Sequence, residues 1–203
     1  MKTNIALLIE QSVNVIDSLN KGLRLTHKEQ QFFCEHFERE EIKKNEFTIR
    51  IGDYEKYLYF IESGILRYWT AQEYGDPDKE VTFWFSFPGE FANSYFSLKE
   101  NQPSLIHIQA LTDCVIWKLS KQDLADLYQT SLNINKIASI VLEYALCRKI
   151  TRETLLLGSS AEAIYEDLIT KEKELINNIP LKYLASYIGV TPQRLSQIRR
   201  KVH

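Results

Sequence analysis

The sequence predicts an α+β chain: N-terminal helices, an antiparallel β-roll, a long helix, and a helix-turn-helix at the end. Three observations carry this. Between residues 42 and 119, short runs of aromatic and β-branched residues alternate with Gly, Pro, Asp and Ser turn signals. After Leu119 the hydrophobic period becomes helical and stays so. From Leu181 to Arg200, two helical patterns flank Gly189 and end in a run of cations.

The elements follow in order. Ile5, Leu8, Ile9, Val13, Ile16 and Leu19 lie at helical spacing, so Asn4 to about Asn20 reads as an amphipathic helix stopped by Gly22. Thr26-His27-Lys28-Glu29 reads as a capping box, in which hydroxyl and carboxylate satisfy the free amides of a helix running to about Phe37. Strands are expected at Phe47 to Ile51, Tyr57 to Ile61, Ile65 to Thr70, Val81 to Phe85, Leu105 to Leu111 and Val115 to Leu119. Gly52-Asp53, Ser63-Gly64, Gly75-Asp76-Pro77, Pro88-Gly89 and Asp113 separate them, as in a compact barrel or roll. Ser120 with Asp123 caps a short helix to about Tyr128.

A long helix is expected from near Leu132 to Leu157. Its early half is apolar on more than one face, whereas a helix lying on a single domain needs only one stripe. The surplus face implies a second copy of the chain, with Ile134, Ile137, Ala138, Val141 and Ala145 as the expected dimer interface. Gly158 breaks the helix, and Ser159-Ser160-Ala161-Glu162 restarts one as a second capping box. This divides the chain into residues 1–130, a dimerisation helix at 131–158, and a C-terminal domain at 159–203.

Composition excludes several classes of protein. The 203 residues are 44% hydrophobic and 26% charged, which is ordinary for a globular protein. No apolar run approaches the ~20 residues of a membrane span, and the N-terminus lacks a signal-peptide pattern, so a cytoplasmic location is expected. Cys34, Cys114 and Cys147 are scattered, without ligand-type spacing, and read as ordinary thiols; no metal or other cofactor is expected. His27, His36, His107 and His203 are also scattered, with no nucleophile elbow or phosphate loop, so the chain is not expected to be an enzyme.

Charge points to a polyanion. Leu181 to His203 holds Lys182, Arg194, Arg199, Arg200 and Lys201 and no acid, a charge of +5 against a chain total of −2. The preceding residues therefore carry −7. A basic terminal segment on an acidic body is the footprint of a local nucleic-acid site.

Pattern agrees with charge. Leu184, Ile188, Leu195 and Ile198 are spaced to share the core of two crossing helices. Ala185 is small where the second helix passes over the first, and Val190 plugs the gap between them. Gly189 stands where the first helix must stop with positive φ. Thr191 is the expected N-cap and Pro192 the first residue of the next helix, a position whose amide needs no intrahelical partner. The outward residues Gln193, Arg194, Gln197, Arg199, Arg200 and Lys201 offer the amides and guanidinium groups that pair with base edges and phosphates. With Lys182 and Thr191 they form the expected surface for double-stranded DNA.

This order of parts resembles the Crp/Fnr superfamily of bacterial transcription regulators. The resemblance spans nearly the whole chain and is most specific at the helix-turn-helix and at Phe87-Pro88-Gly89-Glu90-Phe91, which looks like the Gly-Glu turn opening the family's effector cassette. It implies a double-stranded β-helix of jelly-roll type that senses a small molecule. It also implies a homodimer on a palindromic operator, with RNA polymerase as a further partner. Gly89, Glu90 and Ser104 are the effector-pocket candidates it suggests. In cyclic-nucleotide-binding members an Arg clamps the cyclic phosphate, and here Pro103 stands where that Arg is expected. A buried phosphate without its cation is penalised by several kcal/mol, so cyclic AMP is not the expected effector. The chain also reaches His203 just after the recognition helix, without the β-hairpin wing of many relatives. The competing reading is a small-ligand or cyclic-nucleotide signalling module whose helical tail contacts protein rather than DNA.

Overall fold

A computed structural model describes residues 4–16, 23–71, 79–171 and 173–202. The expected end of the first helix near Asn20, the Gly22 stop, the Gly75-Asp76-Pro77 turn and His203 lie outside the described residues. The chain forms two compact units. One is Met1–Tyr68 with Phe85–Tyr144, the other Trp69–Trp84 with Ala145–His203. The long helix expected to stand alone between two domains is therefore divided, its first half in one unit and its second half in the other.

The first unit begins with α1 (Ile5–Ile16) and α2 (His27–His36). Asn4 caps α1 by accepting the Ala6 amide at 3.1 Å. Both halves of the Thr26–Glu29 capping box are present at the start of α2. The Glu29 carboxylate is also held by Ser131 and Asn133. Burial pushes its pKa up, but the hydrogen bonds from Ser131, Asn133 and Thr26 more than offset that and hold it below the usual carboxylate range.

Eight strands follow among the described residues: β1 (Glu38–Ile42), β2 (Phe47–Ile49), β3 (Tyr57–Ser63), β4 (Leu66–Ala71), β5 (Glu80–Ser86), β6 (Phe91–Ala92), β7 (His107–Ala110) and β8 (Cys114–Ser120). They make two four-stranded sheets, ordered β1-β8-β3-β6 and β2-β7-β4-β5. The pairs β1–β8, β3–β8, β3–β6 and β2–β7 are antiparallel. Ile61, Leu66, Ile108, Ala110 and Ile116 fill the roll at 1% exposure or less. The distal parts of β4 and β5 belong to the second unit.

Three elements of the first unit are absent from the sequence-based reading. β1 reads Glu-Arg-Glu-Glu-Ile and has no apolar alternation; as an edge strand it is held by its ladder to β8 and by Lys118, whose ammonium pairs with Glu38 and Glu40. β6 has only two residues, too few to show a period. α3 (Tyr95–Glu100) is a single short turn of helix closing at Asn101 in the left-handed conformation.

α4 (Lys121–Thr130) is capped by Ser120, which accepts the Asp123 amide at 3.1 Å. α5 (Leu132–Gly158) then runs out of the first unit. Ile5, Ala6, Ile9 and Val13 of α1, Phe33 of α2, Phe60, Leu119 and Leu127 enclose Ile134 and Ile137 of α5. Val141 packs against the same core. Three residues of the expected dimer interface, Ile134, Ile137 and Val141, are thus taken up by the chain's own roll. Ala138 is half-buried and Ala145 exposed. The surplus apolar face lies on the other side of the helix, roughly 150° around, on exposed Leu142, Leu146, Ile150 and Leu157.

The second unit adds α6 (Ala161–Lys171), α7 (Lys173–Asn178), α8 (Leu181–Ile188) and α9 (Pro192–Val202). The α6 cap differs from the expected box by one residue, since Ser160 accepts the Ala163 amide at 3.2 Å. Glu162 then turns away from the helix start to Arg194. Among the described residues, no helix is long and apolar enough to cross a membrane.

Candidate nucleic-acid interface

The two C-terminal helices are built as their sequence requires. Leu184, Ala185, Leu195 and Ile198 are completely buried, and Ile188 is nearly so. Ala185 has no side chain beyond Cβ, which permits the close crossing of α8 and α9. α8 ends at Gly189 with φ 84°, in the left-handed region. The Val190 amide reaches back to the Ala185 carbonyl at 2.9 Å, closing the turn. Thr191 Oγ1 accepts the Arg194 amide at 3.2 Å, and Pro192 opens α9.

The outward face of α9 divides into two groups. Gln193, Gln197, Arg200 and Lys201 are exposed and lie at i, i+4, i+7 and i+8, so they share one stripe. The other expected contacts have partners within the unit. Arg194 pairs with Glu162 of α6. Arg199 is half-buried, with its guanidinium carbon 5.8 Å from the Tyr165 ring centroid. Lys182 is exposed on α8, with Nζ 4.0 Å from Glu80. The expected acid-free face thus has one acid at its edge, Glu162. Sequence reasoning spent that residue on a helix cap; only the packing of α6 beside α9 brings it to Arg194.

α8 is also pinned from its other side. Ser186 Oγ accepts the Thr82 amide at 2.9 Å and donates to the Glu80 carbonyl at 3.1 Å, so α8 sits on the edge of β5. No signal in the α8 sequence announces this, because a Ser in mid-helix ordinarily faces water or its own backbone.

The roll's effector-pocket candidates fall in two places. Gly89 and Glu90 form a turn against β3, with Gly89 donating to the Ile61 carbonyl and Ile61 to the Glu90 carbonyl. The Glu90 carboxylate accepts the Phe87 amide at 3.2 Å. Ser104 lies beside α3 instead, its hydroxyl 2.9 Å from that of Ser94 and donating to the Ile106 carbonyl at 2.8 Å. Pro103 is exposed.

Below α3 is Glu55, which sequence reasoning did not single out. Its carboxylate accepts the amides of Ser94, Lys56 and Tyr57, while its own amide donates to Ser97 Oγ at 2.9 Å. Ser94, Ser97 and Ser104 are all buried. Burial raises the Glu55 pKa against the pull of those three amides. Each of these groups has a partner within the protein: the carboxylate takes backbone amides, Ser97 Oγ donates to the Gln102 carbonyl, and the Ser94 and Ser104 hydroxyls share a hydrogen bond.

Residues 39–131 match the family of cyclic nucleotide-binding domains. No curated protein sequence matches the chain. Among solved structures it is similar to CLP, the c-di-GMP-responsive global regulator of Xanthomonas campestris, at 20% identity over 85% of this chain and 89% of that one, TM-score 0.67. FixK2 from Bradyrhizobium japonicum is 16% identical over 82% of this chain and 84% of its own, TM-score 0.67. A protein from Eubacterium rectale assigned to the crp/fnr family is 14% identical over 87% and 83%, TM-score 0.67. The fold is that of the Crp/Fnr regulators.

Proposed function

We propose that this Crp/Fnr-fold chain is a cytoplasmic, homodimeric transcription regulator that reads a palindromic operator through α9 and acts without cyclic AMP. The observation that carries this reading is the exposed stripe Gln193, Gln197, Arg200 and Lys201 on a helix whose opposite face is fully buried. An amide-rich first half and a cationic exit suit a helix that enters the major groove N-terminus first and leaves along the sugar–phosphate strand. The cations in its last turn also complement the helix dipole. RNA polymerase is the further partner of such a regulator.

Position on the stripe separates two kinds of contact. Gln197→Ala is expected to relax preference at particular operator positions, by about 1–3 kcal/mol for the base read, with the salt dependence unchanged. Arg200→Ala is expected to weaken specific and random duplexes alike and to flatten the salt slope by about two units per dimer. The measurement is affinity against salt on operator and scrambled duplexes for both variants. The reverse result, with Arg200→Ala losing sequence preference and Gln197→Ala losing only salt dependence, would reverse the docking. Failure to bind any genomic duplex would favour a signalling module instead.

The cyclic nucleotide expectation is tested on the roll. Here the Glu55 carboxylate accepts the backbone amides of Ser94, Lys56 and Tyr57, the Ser94 and Ser104 hydroxyls are bonded to each other, and Ser97 Oγ donates to the Gln102 carbonyl. A second anion beside Glu55 would meet like charge without the phosphate-clamping Arg. Calorimetry with cyclic AMP and cyclic GMP is expected to show no saturable heat, and micromolar binding of either would overturn this.

A further inference from the structure

We infer that the second unit contains a binding site for a small organic acid, in a cavity between α5, α6 and α8. The cavity has a volume of about 90 Å³. At the ~10–15 Å³ of probe-occupied space that one water needs, that is room for several waters, a size that suits a short-chain carboxylate. Trp84, Leu155 and Leu168 supply apolar wall, and Arg152 supplies the cation.

Arg152 is fixed from two sides. Its guanidinium carbon lies 4.0 Å from the Tyr187 ring centroid, and Nη2 donates to the Tyr187 carbonyl at 2.6 Å. Nε is buried and donates to no acceptor. Among the described residues, no carboxylate forms an ion pair with Arg152. A guanidinium held in place, with a buried N–H unsatisfied and apolar surface beside it, is the environment that takes a carboxylate with a short hydrocarbon body.

The remaining charges at the cavity fit this. Asp167 is the single acid among the described lining residues, and Lys171 pairs with it at 2.5 Å. Arg148 is a second guanidinium on the rim, stacked 4.6 Å from the Trp84 ring centroid. The cation Arg152 is tied through Tyr187 to α8, the first helix of the helix-turn-helix. Ligand binding does not depend on the DNA reading above, so the two fail separately.

The test is equilibrium dialysis of the full chain with radiolabelled propionate and, separately, inorganic phosphate, with chloride holding ionic strength constant. Thermal melting in the same salts gives a second readout, because a ligand of the folded state raises the melting temperature. Propionate is expected to bind and to protect. Arg152→Gln should weaken propionate about tenfold or more, the loss of one charge-assisted contact. Asp167→Asn, which removes the like charge and keeps the cavity, should tighten it. Three results would each overturn the assignment: no propionate binding by the unaltered chain, equal binding by Arg152→Gln in a folded variant, or phosphate bound in preference to propionate. If Arg152→Gln fails to fold, Asp167→Asn decides, and unchanged or weaker propionate binding there counts against the site.

Discussion

Placing glutamate at both Leu142 and Leu146 is expected to convert the protein into a monomer and to lower its operator affinity by about 10²–10⁴-fold. The magnitude is that of losing one of two linked half-site contacts. Leu142, Leu146, Ile150 and Leu157 expose 43%, 56%, 53% and 90% of their surface in the single chain. They lie within about 80° of one another around α5, while the opposite face carries Ile134 and Ile137 into the roll. Four large apolar residues on one helical face are a costly surface to leave in water and a natural seam for a second copy. Glutamate there adds two charges per subunit at the centre of the seam. Sedimentation equilibrium and a gel shift on the same samples check it, and a dimeric double variant would place the interface elsewhere. Val141→Glu serves as contrast: it introduces a charge against the chain's own core, so its expected effect is loss of stability.

Leu195→Ala is expected to cost about 2–5 kcal/mol of stability and to abolish sequence-specific DNA binding. Leu195 is completely buried between α8 and α9, in contact range of a core made by Leu184, Ala185, Ile188 and Ile198. Truncation leaves a cavity at the centre of the α8–α9 core. It also removes the contact that sets the angle of α9. Gln193→Ala, two residues away and exposed, should stay within about ±0.5 kcal/mol. Urea unfolding followed by circular dichroism gives both numbers, and operator binding gives the functional half. Equal stability of the two variants would mean that the α8–α9 core does not hold the recognition helix.

Much of the candidate site was legible because it is built from local rules. Gly189, Thr191 and Pro192 each act on a backbone conformation within a residue or two of themselves, so their types alone announce a stop, a cap and a start. The same holds for the Thr26–Glu29 box, where both hydrogen bonds close inside one helical turn. β3 and β4 were legible as short aromatic and β-branched runs between turn signals, and α5 as a long run of helical spacing.

Elements that draw their partners from distant segments were not legible. β1 shows no pattern of its own, because what holds it is a ladder to β8 more than seventy residues later. Ser186 and Thr82 are bonded across 104 positions, and Glu162 reaches Arg194 across 32. The α5 sequence established that the helix has more than one apolar face; which face meets the roll depends on how α1, α2 and α4 close around it. The sequence by itself therefore determined the kind and order of elements and the chemistry offered by α9, since these rest on short-range backbone conformation and on residue type. Tertiary structure alone decided which cations of α9 pair within the unit, which leucines of α5 are left exposed and where the Glu55 carboxylate finds its amides. Those outcomes depend on distances between segments that helical and strand periods do not encode.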